Sequence, residues 1–379
     1  MVQLRGVPVR EAAVSGPRGG GAGLAGPAHE AALLRRLRAT VDACREAGVW
    51  GLPSSELTAK WRTQLEREPL RLVQENHTIN AEALRRFRRL QIFVPDIPIW
   101  DPGRLSLVNL LGGGRRGDRR ALDACLDFVQ SSSCEPLLRK HPCPLVGRPY
   151  VFRRRGYVYT YRWLKHIWSL GLVKDVLSSR LPEDFVTLDI GSSYGIFSGL
   201  VKREWPRSHH VLVDFPEQLL LAHYFLSMWL PGCRIAGIPE VLEQPRLARE
   251  WIMQHDFTLV PCARYDRIEG GVADLVTNFA SFGEMTRSWF DFYVNAPPFQ
   301  AARYLFLINR IQSRPSYETD LTILDYPIWD RASRLHFSLA TMFSNVHFSR
   351  RRWLFCSRQV MSSQYFEYIG SRGGDGHGP

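Results

Sequence analysis

Several features are scarce or missing in this chain of 379 residues. No run of about 18 apolar residues occurs, so no membrane-spanning helix and no membrane partner are predicted. The N-terminus has no continuous apolar segment, and we expect no secretory signal there. Seven cysteines follow no regular framework, which indicates a reduced, cytoplasmic protein. Cys134, His141 and Cys143 form an irregular set without paired ligands, so no metal site is predicted.

Lysine is also scarce, because only five of the 49 basic residues are lysines, while the formal net charge is +12. Such a positive charge is typical of proteins that bind nucleic acids, because it attracts the phosphates of the nucleic acid. A bias toward arginine also follows from genome composition, and we interpret most of this charge as solvated surface. Nucleic acid is therefore not the favoured partner. A small-molecule or glycan acceptor is expected instead, and a homo-oligomer is left open.

The composition divides the chain into four parts. Residues 1–28 and 369–379 are rich in Gly, Pro or both, and they are predicted to be disordered tails. Residues 29–180 show apolar positions at helical spacing and are predicted to form a helical N-terminal region. Within it, Phe93–Gly117 is dense in Pro and Gly and is interpreted as a loop or linker. Helices are predicted on its C-terminal side at Arg119–Gln130 and Tyr159–Leu177.

Residues 181–368 have a different pattern, in which short apolar strands alternate with helices. This alternation implies crossover connections, and hence a mainly parallel sheet with helices on both faces. The continuous apolar run Tyr304–Ile308 fits a strand that is buried on both faces. The predicted fold class is α/β with a Rossmann-like domain. A helix over Arg331–Phe343 and an edge strand at Trp353–Cys356 are also predicted.

The first predicted strand of this domain leads into a loop that suits a ligand. It ends in Asp189, and Gly191, Ser192, Ser193 and Gly195 follow. Ligands of open α/β sheets bind beyond the carboxyl ends of the strands, where glycines allow close approach of the backbone. A dinucleotide-binding loop needs glycines at the positions of Ser193 and Ile196. The pattern of loops that bind S-adenosylmethionine (SAM) is instead met at Asp189, Gly191 and Gly195, with Ser193 in its middle glycine position. The ammonium group of SAM suits the carboxylate of Asp189, directly or through water. A nicotinamide cofactor and a loop without ligand are the alternatives.

A second acidic residue ends the next predicted strand. Asp214 lies 23 residues after Gly191, and Phe215 follows it. A carboxylate at this position accepts hydrogen bonds from both hydroxyls of a ribose, which a nucleoside cofactor presents. The two features together predict SAM as the cofactor.

Four segments carry a resemblance to a known family. They are LDIGSSYG, HHVLVDFPEQLLLAHYFL, DLVTNFASFGEMT and YLFLINR, in this order along the chain. They resemble the sugar O-methyltransferases, a SAM-dependent family, over roughly Tyr157 to Trp329. The resemblance implies a Rossmann-like methyltransferase fold and a sugar or glycan hydroxyl as the acceptor. The chain departs from the family at Ser192 and Ser193, where glycines are common, and at Gly283, where glutamine is common.

The resemblance also implies roles for individual positions. The loop and Asp214 would bind the cofactor, Phe215 would flank its adenine, and Asn278 and Ser281 would end the fourth strand near the methyl group. The predicted cofactor-binding residues are therefore Asp189, Gly191, Ser192, Ser193, Gly195, Asp214, Phe215, Asn278 and Ser281.

Two residues are predicted to assist catalysis. Glu284 follows the fourth strand and would act as the base or orient the acceptor, with a helix-start charge as the alternative. His336, in the predicted helix Arg331–Phe343, is the second candidate.

These observations are compatible with three alternative functions. The first is a SAM-dependent O-methyltransferase acting on a sugar or a glycosylated small molecule. The second is a nucleic-acid (RNA) methyltransferase that uses the positive charge. The third is a module that binds SAM without catalysis.

Overall fold

The computed structural model describes residues 26–51, 57–67, 69–74, 78–90, 92–93, 113–328, 333–350 and 357–372. Most of the predicted tail 1–28 and the predicted edge strand Trp353–Cys356 lie outside the described residues. No helix within the described residues is both long and apolar enough to cross a membrane.

The described part of the N-terminal region is mainly helical. Its helices are α1 Pro27–Glu46, α2 Ala59–Arg67, α3 Pro69–Leu72, α4 Ala81–Arg85, α5 Gly113–Gln130, α6 Glu135–Lys140 and α7 Tyr161–Leu177. The helix α5 starts six residues before the predicted Arg119, so the end of the predicted linker Phe93–Gly117 is helical. A hairpin of β1 Phe152–Arg154 and β2 Tyr157–Tyr159 was not predicted. Its turn depends on positive φ at Arg155 and Gly156.

The second half of the chain forms an eight-stranded sheet. Its strands are β3 Val186–Ile190, β4 His209–Asp214, β5 Ile235–Ala236, β6 Phe257–Pro261, β7 Leu275–Phe279, β8 Tyr304–Arg310, β9 Ser333–Ser338 and β12 Tyr365–Ser371. The order is β5-β6-β4-β3-β7-β8-β12-β9. The first six strands are parallel, and β12 is antiparallel to both β8 and β9. The predicted α/β class with a mainly parallel, Rossmann-like sheet is confirmed.

Helices cover the sheet on both faces. They are α8 Ile196–Glu204, α9 Pro216–Trp229, α10 Ile238–Leu242, α11 Arg249–Ile252, α12 Arg287–Asn295 and α13 Pro297–Gln300. The buried side chains of α1, α7, α8 and α9 form one apolar cluster with one face of the sheet. Those of α12 and α13 belong to the cluster on the other face. The N-terminal helices are thus part of the layer that covers the sheet.

Two predictions at the C-terminal end were wrong. The predicted helix Arg331–Phe343 contains the strand β9, which becomes a strand because it pairs with β12. The strand β12 continues to Ser371 and so overlaps the start of the predicted tail 369–379. Outside the main sheet, β10 Asn345–Arg350 and β11 Ser357–Ser363 form an antiparallel pair.

Candidate functional site

The loop between β3 and α8 lies where the chain order of the sheet reverses, with β4 on one side of β3 and β7 on the other. Open α/β sheets bind ligands at this point. Gly191, Ser193 and Gly195 all have positive φ, at 72°, 53° and 78°. A Cβ atom added to Gly191 would lie 2.1 Å from Ser281 Oγ. Glycine is therefore required there both by the backbone angle and by the close approach of the loop after β7.

The two serines of this loop are buried without hydrogen-bond partners. Within the described residues, neither Ser192 Oγ nor Ser193 Oγ has a hydrogen-bond partner. On the adjacent first turn of α9, Glu217 Oε2 and Gln218 Oε1 are in the same state. Buried polar atoms without partners cost free energy, so a cluster of them marks a place where a polar ligand fits.

Asp214 lies at the end of β4, beside the loop, as predicted. Its Oδ2 accepts a hydrogen bond from Ser193 N at 2.6 Å, and its Oδ1 accepts one from Phe215 N at 2.8 Å. Burial raises the pKa of this carboxyl to about 6, although both backbone hydrogen bonds and the nearby Arg162 oppose the rise. Each carboxylate oxygen keeps a lone pair that a ribose hydroxyl can use.

The carboxylate of Asp189 is buried within the sheet. It lies inside β3 with 2% of its surface exposed. Its Oδ1 accepts from Thr277 Oγ1 at 2.8 Å and its Oδ2 accepts from Ser198 Oγ at 3.2 Å. Burial raises its pKa to about 7. Both oxygens connect β3 with β7 and α8, and the contact of Asp189 with an ammonium group, directly or through water, stays a prediction.

Asn278 and Ser281 also support the loop. Asn278 Nδ2 donates to Ile190 O at 2.8 Å and to Ser281 Oγ at 2.5 Å, and Ser281 Oγ donates to Ile190 O at 3.3 Å. On its other side, Asn278 Oδ1 accepts from Asn309 Nδ2 at 2.9 Å. Both residues lie at the predicted edge of the sheet, where they fix the backbone on which the loop rests.

Glu284 lies at this edge too, but its carboxylate is already engaged. It ends a short 3-10 turn after β7 and is 9% exposed. Its Oε1 accepts from Arg310 Nη2 at 3.0 Å and from Tyr317 OH at 2.8 Å. This buried ion pair differs from the open carboxylate that the sequence suggested.

His336 lies elsewhere. In β9 it pairs with Ile369 of β12, which itself pairs with Phe306 in the middle of β8. Its Nε2 is 3.4 Å from Glu367 Oε2, and that carboxylate also accepts from Trp168 Nε1. The structure therefore does not place His336 at the carboxyl edge with Glu284.

The helix α2 crosses this edge, which the sequence did not reveal. The Trp61 ring lies 5.3 Å from that of Phe215, measured between centroids. Just before α2, Thr58 Oγ1 donates to Glu284 O at 3.2 Å. Arg62 Nη2 forms an ion pair of 2.8 Å with Glu318 Oε2. One short helix thus contacts the segments that follow β4, β7 and β8.

The helix α7 brings three further side chains to the site. Arg162 Cζ lies 5.3 Å from the ring centroid of Tyr194, in the loop after β3, and its Nε is buried without a partner. His166 is 8% exposed, and its ring lies 6.3 Å from that of Phe279 at the end of β7. Burial, followed by the charges of Arg162 and Lys165, holds the pKa of His166 well below its ordinary value.

The sequence signal for these residues was weak. Arg162, Lys165 and His166 share one side of a helix, but they precede the first strand of the sheet and match no motif.

Among the described residues, no group of three or more His, Cys, Asp or Glu side chains could hold a metal ion.

No protein-family model matches the chain, and no curated protein matches it in sequence. Among solved structures, TehB from Haemophilus influenzae is similar with a TM-score of 0.36 and 7% identity, over 54% of this chain and 62% of that chain. Monomeric WbdD is similar with a TM-score of 0.33 and 14% identity, over 54% and 41%. The chain spans less than two thirds of the length of these two proteins.

A geranyl diphosphate C-methyltransferase from Streptomyces coelicolor A3(2), in complex with S-adenosyl-L-homocysteine, is similar with a TM-score of 0.35 and 12% identity, over 56% of this chain and 83% of that chain. All of these similarities are distant. The fold class is defined by the strand order of this chain and by the backbone angles of its loop.

Proposed function

We propose that the chain is a SAM-dependent O-methyltransferase that acts on a hydroxyl group of a sugar or a glycosylated small molecule. The observation that carries the proposal is the direct hydrogen bond between Asp214 and the backbone of Ser193. It joins the acid that ends β4 to the tight loop that follows β3. A nucleoside fits this arrangement, with its ribose on the acid and the loop backbone against the ligand.

The strand order supports a methyltransferase over a dehydrogenase. The antiparallel strand β12 lies between β8 and β9 at one side of an otherwise parallel sheet. Rossmann sheets that bind dinucleotides are mostly parallel and have the strand order 3-2-1-4-5-6, and this sheet departs from that pattern by its antiparallel strand. The argument is an analogy between folds and favours the chemistry without naming the acceptor.

The residues around the loop fit SAM. The unpartnered hydroxyls of Ser192 and Ser193 and the unpartnered oxygens on α9 offer partners for its polar groups. We assign the carboxylate of the methionine part to Arg162, whose guanidinium lies over Tyr194 in this loop and has a free Nε. The adenine would lie near Phe215, beneath Trp61.

When bound, SAM supplies a methyl group whose bond to sulfur breaks, with its electron pair left on sulfur, as the acceptor oxygen attaches to carbon. The protein must align the hydroxyl and accept its proton. We propose His166 as the base, because its Nδ1 is buried without a partner beside the end of β7. Glu284, held by Arg310, suits the orientation of the acceptor and stays the second candidate, with His336 third.

Calorimetry with SAM and with its demethylated product tests the cofactor assignment. We expect micromolar binding by the full chain, and we expect Asp214→Ala to weaken it by about 1.5 to 3 kcal/mol, the cost of lost hydrogen bonds to a charged group. Asp184→Ala, at the opposite end of β3, is the control and should bind normally. Unchanged affinity in Asp214→Ala would refute the ribose assignment.

The other two functions are separated by a second measurement. Transfer of a labelled methyl group to sugars supports the proposal. Salt-dependent binding and methylation of RNA, with no activity on sugars, would favour the nucleic-acid enzyme. SAM binding without transfer to any acceptor would favour the non-catalytic module.

A further inference from the structure

Four basic side chains from two elements meet beside the proposed methyl-transfer site. We call Arg162, Lys165, His166 and Arg310 the basic cluster. The first three come from α7, and Arg310 is the last residue of β8. Arg162 lies over Tyr194 in the loop after β3, and Arg310 pairs with Glu284 after β7, so the cluster extends from the proposed cofactor loop along the carboxyl edge of the sheet.

Lys165 has aromatic neighbours but no anionic partner. Its Nζ lies 4.3 Å from the ring centroid of Tyr161 and 5.0 Å from that of Phe343. No carboxylate in the described part of the chain forms an ion pair with it. Desolvation lowers its pKa to about 7, and the charges of Arg162 and Arg310 add to this, while Cys125 on α5 opposes it.

Arg310 is only partly satisfied. It is 5% exposed, and its Nη2 donates to Glu284 Oε1. Its Nε and Nη1 are buried without partners. Its Cζ lies 4.9 Å and 5.1 Å from the ring centroids of Tyr317 and Tyr365. The Arg310 guanidinium is planar, lies between two rings and has two nitrogens that can still donate hydrogen bonds. Such a group can bind a carboxylate or a phosphate.

The described residues do not balance the charges of this cluster. Among the described residues, Glu284 forms an ion pair with one edge of Arg310, and Asp214 lies near enough to Arg162 to feel its charge. Buried or half-buried cations without counter-charges are costly, which a bound anion relieves. The SAM carboxylate, assigned above to Arg162, accounts for one of them. Lys165 and the free edge of Arg310 then still lack an anionic partner.

We propose that Lys165 and Arg310 bind an anionic group, a carboxylate or a phosphate, on the methyl acceptor. The acceptor is then an acidic sugar or a similar hydroxylated anion, and the tyrosine and phenylalanine rings around the cluster contact its apolar faces. This inference rests on the proposed function, because it describes the acceptor of that reaction.

Calorimetry on the full chain, saturated with S-adenosylhomocysteine, tests it with glucuronate, glucose 6-phosphate and glucose. We expect at least one of the two acids to bind about tenfold or more tightly than glucose, which corresponds to one charged hydrogen bond. Comparison of the two acids tells which anion the site prefers. Lys165→Met should lower the affinity for that acid by about tenfold or more and leave binding of S-adenosylhomocysteine unchanged.

Lys174→Met is the matched control. Lys174 lies on the same helix, outside the cluster, in an ion pair with Glu204, and we expect its loss to leave binding of the acids unchanged. Arg310→Met leaves Glu284 buried without its partner, so the double variant Glu284→Gln/Arg310→Met, which removes both charges, is the second test. It should also lose the preference for acids over glucose.

The proposal is overturned if neither acid binds more tightly than glucose, or if Lys165→Met and the double variant both retain the preference. Inorganic phosphate, titrated without S-adenosylhomocysteine, separates this failure from failure of the proposed function. Phosphate binding that Lys165→Met weakens supports the anion site even if the chain does not bind the cofactor.

Discussion

At the residue scale, the protonation state of His166 determines what it can do during methyl transfer. Burial and two neighbouring cations depress its pKa, so the imidazole is neutral at pH 7 and can accept a proton. We expect His166→Gln to lower kcat by about 100-fold or more while the affinity for SAM is unchanged. The kcat of the wild type should show no rise around pH 6.5, because the folded pKa lies well below it.

The same substitution at the other two candidates provides the comparison. Glu284→Gln should act mainly on KM for the acceptor, because Glu284 orients Arg310, and His336→Gln should have little effect on either constant. If Glu284→Gln lost turnover and His166→Gln did not, the base would be Glu284, as the sequence suggested.

The buried carboxyl group of Asp189 leads to a prediction about how the free energy of unfolding depends on pH. Its pKa is about 7 in the folded protein against 3.8 as the ordinary value, so the folded state binds the extra proton between these pH values. Its contribution to the free energy of unfolding therefore falls as the pH rises through this window. Asp189→Asn does not titrate, and it should gain up to about 1.4 kcal/mol per pH unit relative to the wild type between about pH 4 and 7. Urea unfolding at several pH values measures this, and a difference that does not change with pH would contradict it.

At the element scale, α2 is one of two helices of the N-terminal region, with α7, that lie beside the proposed cofactor site. Its contacts with the segments after β4, β7 and β8 suggest that it helps to hold the bound nucleoside. Trp61→Ala removes a ring that, in the proposed binding mode, contacts the adenine, and one aromatic contact contributes about 0.5 to 1.5 kcal/mol. We expect the affinity for S-adenosylhomocysteine in calorimetry to fall by about two- to tenfold, at nearly unchanged thermal stability.

Trp289→Ala is the control for this experiment. Trp289 is a half-buried ring on α12, which packs on the opposite face of the sheet. Equal affinity in Trp61→Ala and the wild type would show that α2 covers the edge without contributing to binding.

At the scale of the whole molecule, the helical region and the sheet share one apolar core. Leu37 and Val41 of α1 belong to the same buried cluster as Leu220 of α9 and Phe306 of β8. Arg36 extends this contact, donating to Ile235 O at 2.9 Å. The change of pattern near residue 181 therefore marks a change of secondary structure, while the packing is continuous across it. The functional consequence is that α2 and α7 can contribute side chains to a site built on the sheet.

The sequence by itself determined the features that depend on local contacts. Alternating strands and helices, the glycines with positive φ, and an acid at the end of β4 all follow from short-range geometry, and the structure contains each of them. Asp214 was placed correctly because the length of one βαβ unit brings it next to the loop.

Only the tertiary structure decided which of these side chains remain free to act. Asp189 is engaged by Thr277, which lies 88 residues away, and Glu284 by Arg310 from the next strand. His336 became part of a strand because β12, which follows it in the sequence, pairs with it. Lys165 and His166 reached the site because α7 packs on the sheet. Each of these outcomes depends on contacts between distant segments, whose geometry the local pattern of residues does not specify.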